Sequence, residues 1–297
     1  MGDPSSDADR LAEFSQYRPL LFSIAYRMLG TVTDAEDMLQ EAFIRLQRST
    51  DEDIRNPRAF LLTIITRLCL NQLQSSRVKR EQYIGHWLPE PIVTDDPNDP
   101  LAVLRVDESL SMALLVLLER LTPVERAVFI LREVFDFKYP EIAATLGQTE
   151  ANCRQLLHRA RGHIGTIRRR SRVSMPQHRI LVERFIEATR TGDLNGLLAL
   201  LSSDVRLHSD GGGKGKAVSN IVNGSDKVGR AVILGMAHYL PRELVSKPTW
   251  INGDPGVVSY LNGTPYSVLA LDVCDGLVKT LFVVTNPDKL THLPMQP

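Results

Sequence analysis

Cysteine is scarce in this sequence, and its residues lie far apart, at Cys69, Cys153 and Cys274. No two of them have the short spacing of a zinc site, and together they provide no disulfide framework. The sequence therefore excludes a cysteine-stabilised secreted scaffold. We expect three ordinary thiols in a reducing compartment, no metal, no cofactor and no catalytic residue.

Long apolar runs and net charge are also missing. No apolar stretch reaches the roughly 18 residues that span a bilayer, and the amino terminus lacks the basic-then-apolar pattern of a secretion signal. The 35 basic residues balance the 35 acidic ones, so no argument for nucleic acid can rest on net charge. These absences predict a cytoplasmic protein that does not bind membranes.

The distribution of charge is more informative than its sum. Between residues 154 and 172 every charged residue is an arginine, and these are Arg154, Arg159, Arg161, Arg168, Arg169, Arg170 and Arg172. Such a block suits DNA phosphates, although solvated basic tails are also common.

A short apolar helix, a tight turn and a basic helix lead into this block. Ile142, Ala143 and Leu146 share one helix face, Gly147 supplies the turn, and Thr149 is a good N-cap for the next helix. That helix would expose Asn152, Arg154, Gln155, His158 and Arg159. The pattern predicts a helix-turn-helix whose second helix enters the major groove. An αα-hairpin with a solvated basic face is the open alternative.

Three helices are predicted nearer the amino terminus. The first spans residues 14–29 and ends at Gly30, the second begins at Thr33 with acidic residues in its first turn, and the third begins at Pro57. The third would expose a row of amide and basic side chains, comprising Arg67, Asn71, Gln74, Arg77, Lys79 and Arg80. Such a row can read bases and hold phosphates.

Helical periodicity stops between residues 85 and 100. Prolines at 89, 91, 97 and 100 predict a semi-rigid linker, in which Trp87 and Leu88 would dock on another part of the chain. A helix over 101–121 follows. A capping box at Thr122 and Glu125 then opens a helix over 124–135.

Beyond Met175, helices give way to strands. Helices are predicted over 180–189, 193–201 and 225–239, and strands over 205–208, 257–261, 266–272 and 278–284, with Asn-Gly and Asp-Gly turns between the later strands. A glycine-rich loop from Asp210 to Lys214 follows the first strand. This order predicts an α+β domain.

Taken together, the motifs resemble the extracytoplasmic-function sigma factors of bacterial RNA polymerase. Residues 26–30, 34–37, 40–43 and 56–61 resemble the sigma-2 helical bundle, and residues 121–129, 141–143 and 158–161 resemble the sigma-4 helix-turn-helix domain. Trp87-Leu-Pro-Glu-Pro, Asp210-Gly-Gly-Gly-Lys and Asn286-Pro-Asp-Lys-Leu resemble markers of the subgroup with a fused SnoaL-like domain, an α+β cone of the nuclear transport factor two type.

The resemblance implies four segments and several partners. Sigma-2 would cover residues 1–85, an extended acidic proline-rich linker 86–108, sigma-4 109–172, and a SnoaL-like regulatory domain 173–297. The sigma domains would bind promoter DNA and core RNA polymerase, at its β′ clamp helices and its β flap. The polymerase-binding residues in sigma-2 would be Asp34, Glu36, Asp37, Gln40 and Glu41.

The resemblance also places both promoter contacts. The minus-10 element, where a base is flipped out of the stack, would meet the loop 48–55 and Arg58, Phe60, Arg67, Asn71, Gln74, Arg77, Lys79 and Arg80. Phe60 stands where many relatives have tryptophan, which weakens a stacking role. The minus-35 element would meet Thr149, Asn152, Arg154, Gln155, His158, Arg159 and Arg161. The linker acids Glu90, Asp95, Asp96 and Asp99 would run towards the RNA exit path.

An internal regulator would replace a separate anti-sigma factor. Its residues would be Trp87, Leu88 and Pro89 in the linker, Asp210, Gly211, Gly212, Gly213 and Lys214 in the loop, and Asn286, Pro287, Asp288 and Lys289 near the carboxyl terminus. The glycines have a simpler explanation as a permissive strand-to-helix connection.

Two other functions stay open. In one, the cone senses a small-molecule ligand or performs catalysis through Asp210, His208 and His238, although a mobile glycine loop suits catalysis poorly. In the other, the protein is a repressor that uses only its helix-turn-helix. That alternative leaves the acidic second helix unexplained.

Overall fold

The computed structural model describes residues 4–49, 54, 56–81, 83–94, 110–164, 174–238, 241 and 243–296. These fall into two compact units. The first contains the described residues up to 81 and from 117 to 164, and the second contains residues 83–94, 110–116 and those from 174 onward. The predicted linker thus groups with the carboxyl-terminal region in its described part.

Three long helices open the first unit, with bounds Pro4–Leu29 (α1), Val32–Arg48 (α2) and Pro57–Glu81 (α3). Gly30 has φ 77°, and its amide donates to the Tyr26 carbonyl at 2.7 Å, which is the predicted helix end. Helix α1 begins ten residues before its predicted start, and α2 begins just before Thr33. Thr31 is the N-cap of α2, because its hydroxyl accepts a hydrogen bond from the Asp34 amide.

Shorter helices follow along the chain, with bounds Met112–Leu118 (α4), Pro123–Phe129 (α5), Tyr139–Leu146 (α6) and Glu150–Ile164 (α7). The Thr122 capping box is present, and Gly147 takes the left-handed conformation, with φ 64°. The prediction of one regular helix over 124–135 is wrong, because a π-helical turn covers Ile130–Val134. The wider turn lets Phe137 join Ile130 in the core.

The second unit is a sheet with helices against it. Its helices are Met175–Thr191 (α8), Leu194–Leu198 (α9) and Ser225–His238 (α10). Its strands are Val93–Thr94 (β1), Leu201–Asp210 (β2), Val222–Asn223 (β3), Val245–Ile251 (β4), Asp254–Leu261 (β5), Thr264–Cys274 (β6) and Leu277–Val284 (β7). A short 3-10 helix covers Pro287–Lys289.

The strands are ordered β1-β4-β5-β6-β7-β2-β3. Pairing is antiparallel except between β2 and β7. That parallel pairing extends β2 well beyond the predicted residues 205–208. The helix predicted over 193–201 accordingly ends at Leu198. The turns at Asn252, Asn262 and Asp275 have positive φ, as their sequences predict.

Each face of the sheet carries an apolar core. On one face, Leu181 and Phe185 of α8 and Val228 of α10 pack over the strands. On the other face, Leu88 and Met112 are enclosed by side chains from the strands and the carboxyl-terminal segment, among them Ile251, Val258, Tyr260, Phe282, Leu290 and Leu293. Leu88 is fully buried, so the linker is part of this fold. The prediction of an α+β domain after helical sigma domains is confirmed.

Candidate functional site

The helix-turn-helix presents a polar face on α7. The Thr149 hydroxyl accepts a hydrogen bond from the Asn152 amide at 3.2 Å. Cys153, Leu156, Leu157 and Ala160 are buried, whereas Arg154, Gln155, His158, Arg159 and Arg161 are exposed and Asn152 is half-buried. The structure therefore brings the predicted minus-35 residues together on the outer side of one helix.

A carboxylate accompanies each of three arginines on this face, which sequence reasoning missed. Arg154 pairs with Glu150 at 2.7 Å, Arg161 with Glu133 at 2.7 Å, and Arg159 with Glu125 at 3.3 Å. Only the first pair has a sequence signal, an acid four residues before the arginine. These acids partly neutralise the basic face.

Glu125 links the capping box to the basic face. Burial alone would raise the pKa of Glu125, but hydrogen bonds from Thr122 and the nearby His163 and Arg159 hold that pKa below its usual value. The carboxylate is therefore charged when it meets Arg159.

The predicted minus-10 row lies along α3. Arg67, Asn71 and Gln74 are exposed and Phe60 is half-buried. The side chains of Arg77, Lys79 and Arg80, and most of the loop 48–55, lie outside the described residues.

Arg58 has partners within the first unit. Its guanidinium lies 3.9 Å from Glu141 and 4.7 Å from the centre of the Phe137 ring. The helix-turn-helix region therefore packs against the start of α3.

A buried arginine on α5 joins that helix to the end of α1. Arg126 is 3% exposed, and its Nη1 donates to the Met28 carbonyl at 2.7 Å and to Glu119 at 2.7 Å. Arg27 lies with its guanidinium 5.2 Å from the Phe135 ring centre. Sequence patterns gave no signal for the contacts of Arg126 with Met28 and of Arg27 with Phe135, because the partners in each are about 100 residues apart.

The predicted polymerase-binding residues of α2 differ in their surroundings. Asp37 and Gln40 are exposed. Glu36 pairs with Arg18 at 2.6 Å, and Glu41 pairs with Arg45 at 2.8 Å. Asp34 accepts hydrogen bonds from Thr31 at 2.5 Å and from Gln72 at 3.1 Å, so its carboxylate stabilises the bundle from within.

A second site lies in the carboxyl-terminal unit, where the linker is held by an ion pair. Asp210 ends β2 and is completely buried. Its carboxylate accepts hydrogen bonds from the Tyr83 hydroxyl at 2.5 Å, the Leu88 amide at 2.8 Å and Lys289 Nζ at 2.7 Å. We name the group of Tyr83, Leu88, Asp210, Asn286 and Lys289 the clasp.

Lys289 completes the clasp from the other side of Leu88. Its ammonium donates to the Leu88 carbonyl and lies 4.2 Å from the Trp87 ring centre and 5.1 Å from that of Tyr83. Asp210 and Lys289 thus bind both backbone polar groups of Leu88, while its side chain enters the apolar core. Sequence motifs indicated the two segments, and the structure supplies the atoms that join them.

Sequence patterns did not indicate a role for Tyr83. Asn286 Nδ2 donates to its hydroxyl at 2.8 Å. Burial, followed by the hydrogen bond to Asp210, raises the pKa of Tyr83 well above its usual value. The side chain therefore stays a phenol and can donate to Asp210 throughout the physiological range.

The glycine loop is packed closely rather than open. A Cβ on Gly212, which has φ 57°, would lie 2.3 Å from Asn286 Nδ2, and one on Gly215 would lie 2.1 Å from the Thr285 carbonyl. Lys214 meets Asp288 at 2.6 Å on the surface. The interpretation of this segment as a mobile loop is therefore not supported, since its glycines allow close approach to residues 285–286.

Histidines hold the linker on both sides of the clasp. His208 Nδ1 lies 2.9 Å from His86 Nε2, and burial lowers the pKa of His86 against the opposing effect of the Asp210 charge. His292 contacts the Pro91 carbonyl at 2.9 Å and Glu90 at 2.7 Å. Glu90 is 3% exposed, so this acid of the linker is buried against the carboxyl-terminal region. Asp95, Asp96 and Asp99 lie outside the described residues.

Two linker residues, Val93 and Thr94, form an edge strand of the sheet. Val93 pairs with Ile251 and Thr94 with Trp250, and Asn252 bonds both backbone polar groups of Ile92, at 2.8 Å and 3.1 Å. This pairing was not predicted, because a two-residue strand has too little alternation to recognise and its partner lies about 160 residues away.

Two of the three candidate catalytic groups of the cone are bonded to the linker region. His208 contacts His86, and Asp210 accepts hydrogen bonds from Tyr83 and Leu88, whereas the His238 side chain lies outside the described residues. The cavity beside Met112, Ile251 and Phe282 measures about 10 Å³, which holds at most one water molecule. Among the described helices, none has the length and apolarity needed to cross a membrane.

Comparison with known proteins covers both units. Family models described as sigma-70 region 2 and sigma-70 region 4 match residues 14–78 and 111–164. The ECF RNA polymerase sigma factor SigJ of Mycobacterium tuberculosis is 39% identical over 96% of this chain and 95% of its own length. SigG of the same organism is 31% identical over 66% of this chain and 60% of its own length. The crystal structure of M. tuberculosis SigJ has a TM-score of 0.76 at 36% identity, covering 96% of this chain and all of that one.

Proposed function

This chain belongs to the extracytoplasmic-function sigma factors of RNA polymerase, and from that premise we propose which surfaces serve each partner. The protein directs transcription initiation, and its sigma-70 regions 2 and 4 imply binding of core RNA polymerase and promoter DNA. A repressor that uses only the helix-turn-helix is thereby excluded. We propose that the protein works in the cytoplasm with the polymerase.

The minus-35 element is assigned to the outer face of α7. Exposed Arg154, Gln155, His158 and Arg159, with half-buried Asn152, offer donors and acceptors for base edges and phosphates in the major groove. Thr149 and Arg161 mark the two ends of this face. On binding, Arg159 and Arg161 would exchange Glu125 and Glu133 for DNA phosphates and Arg154 would release Glu150, which predicts strongly salt-dependent affinity.

The minus-10 element and the polymerase clamp are assigned to the sigma-2 helices. Arg67, Asn71 and Gln74 form the exposed minus-10 row. On α2, Asp37 and Gln40 are the exposed residues proposed to meet the β′ clamp helices, with Glu36 and Glu41 beside them. Asp34 acts there by fixing the helix start. The β flap would bind the sigma-4 region.

The packing within the first unit represents a resting state in this proposal. The two promoter elements are about 25 base pairs apart, or ~85 Å at 3.4 Å per base pair. Contacts of Arg58 with Glu141 and of Arg126 with Met28 hold the two DNA-binding regions directly against each other. Engaging both elements therefore requires these contacts to break when core polymerase binds.

The carboxyl-terminal domain regulates in cis by holding the linker. The observation that carries this proposal is the clasp, in which a buried carboxylate and ammonium bind both polar groups of one linker residue. Residues held in this way cannot at the same time follow the RNA exit path. The clasp would thus restrain initiation without a separate anti-sigma factor, and core polymerase or another signal would release it.

Run-off transcription with purified core polymerase tests the regulatory proposal. Deletion of the residues after Asn286 removes Lys289, and Lys289→Met removes only its charge. Both should raise promoter-dependent output at limiting sigma factor, whereas Lys227→Met, at an exposed position of α10, should not. Unchanged output for both clasp variants would refute regulation by the clasp.

We include no catalytic step in the proposal, because Asp210 and His208 are bonded to the linker. A typical ligand pocket holds about 300 Å³ or more, far above the cavity present. A small-molecule ligand of that size would fit the cavity beside Met112 if Leu88 or Met112 moved aside. Sensing would therefore act by releasing the linker.

A further inference from the structure

A tyrosine lies between two arginines in the helix-turn-helix. Tyr139, the first residue of α6, has the Arg154 guanidinium 4.8 Å from its ring centre and the Arg132 guanidinium 5.3 Å from it. Arg132 is fixed in turn, because its Nη1 donates to Asp136 at 3.0 Å and to the Phe137 carbonyl at 2.9 Å. The ring therefore rests on a guanidinium anchored in the π-helical turn.

Stacking orients a guanidinium without using its hydrogen-bond donors. A cation–π contact engages the flat face of the group, while recognition of guanine uses the N–H donors on its edge. In Arg154, one edge nitrogen, Nη2, is held by Glu150 at 2.7 Å. The ring contact would thus keep Arg154 oriented while Glu150 is exchanged for DNA.

We propose that Tyr139 is a positioning residue for promoter recognition, which holds the Arg154 guanidinium in the orientation that reads one base pair of the minus-35 element. This inference rests on the assignment of α7 to that element. Arg159 and Arg161 pair with acids on other elements. Among the described residues, neither guanidinium lies over an aromatic ring as that of Arg154 does. They would accordingly serve as phosphate contacts, and Arg154 as a base contact.

A selection experiment with holoenzyme separates this role from a structural one. The probe is a library of linear promoter fragments with a randomised minus-35 region, transcribed in vitro and sequenced. Arg154→Ala should abolish base preference at one position. Tyr139→Leu should lower preference at that same position by about two- to five-fold, the equivalent of an exposed cation–π contact. Tyr139→Phe, which keeps the ring, should retain it.

Controls make the outcomes distinct. Tyr266→Leu changes a half-buried tyrosine in the carboxyl-terminal sheet and should leave base preference unchanged. In the Arg154→Ala background, Tyr139→Leu should have no further effect on base preference. If Tyr139→Leu does not fold, Tyr139→Gln provides the same comparison.

Three results would overturn the inference. A uniform loss at all positions in Tyr139→Leu would make the tyrosine merely structural, and full preference in Tyr139→Leu would show that the stack has no role. A normal preference profile in Arg154→Ala would instead refute the minus-35 assignment on which the inference depends.

Discussion

Removing the charge of Lys289 is expected to open the clasp. Lys289 is 7% exposed and Asp210 is fully buried, so Lys289→Met leaves a buried carboxylate without its ammonium partner. Breaking a buried pair from one side costs about 3–5 kcal/mol. Because Tyr83, Leu88 and Gly212 still donate to Asp210, we expect about 3 kcal/mol, which raises the open population by roughly a hundredfold.

Amide hydrogen exchange of residues 83–94 measures that opening directly. Exchange in this segment should accelerate by about the same factor, since protection of docked residues follows the free energy of local opening. The double variant Asp210→Asn, Lys289→Met should recover part of the loss, because no unpaired charge remains buried. Equal protection in Lys289→Met and the control Lys227→Met would refute the argument that the ion pair holds the linker.

Three further changes test other contacts. Leu88→Ala should loosen the linker by about 2–5 kcal/mol, measured by the same exchange, and a small apolar molecule such as benzene should raise the melting temperature of this variant only. Acidification from about pH 7.5 to about pH 5.5 should also loosen the docked linker. Burial lowers the pKa of His86 below 6.5 in the docked state, so His86 binds a proton more readily when the linker is released, and docking weakens as the pH falls. A flat pH profile of Trp87 fluorescence, in a Trp250→Phe background, would contradict this. In the first unit, Arg126→Met should increase the distance between spectroscopic labels placed on α2 and α7, because the Arg126–Met28 contact is lost. Glu141→Gln affects only the half-exposed pair with Arg58 and should change the free energy of separating the two regions by less than about 1 kcal/mol.

Local signals predicted most helices because their causes are local. The Thr122 capping box, the left-handed Gly147 and Pro57 each act within a few residues of the helix end that they specify. Strand β4 was missed because Pro248 and polar neighbours conceal its alternation. Pro248 is tolerated there because it lies beyond the two residues that pair with β1.

The sites were predictable as segments but not as contacts. Motif resemblance indicated that Trp87, Asp210 and Lys289 belong to one regulatory region. It could not show that both polar groups of Leu88 are bound, that Tyr83 and His86 take part, or that Met112 shares the core, because these depend on how the sheet curls around the linker. Two of the three acids beside the α7 arginines, Glu125 and Glu133, likewise come from earlier segments of the chain.

The proposed restraint by the clasp would also determine how regulation responds to changes in expression. A restraint carried on the same polypeptide is made in a fixed one-to-one ratio with the domain it restrains, and its local concentration, of millimolar order for tethered partners, does not change as the cell dilutes or accumulates the protein. Doubling synthesis therefore doubles restrained and released molecules alike. The released fraction depends only on the free energy of opening, so that noise in gene expression alters the amount of active factor in proportion and never titrates the inhibitor away.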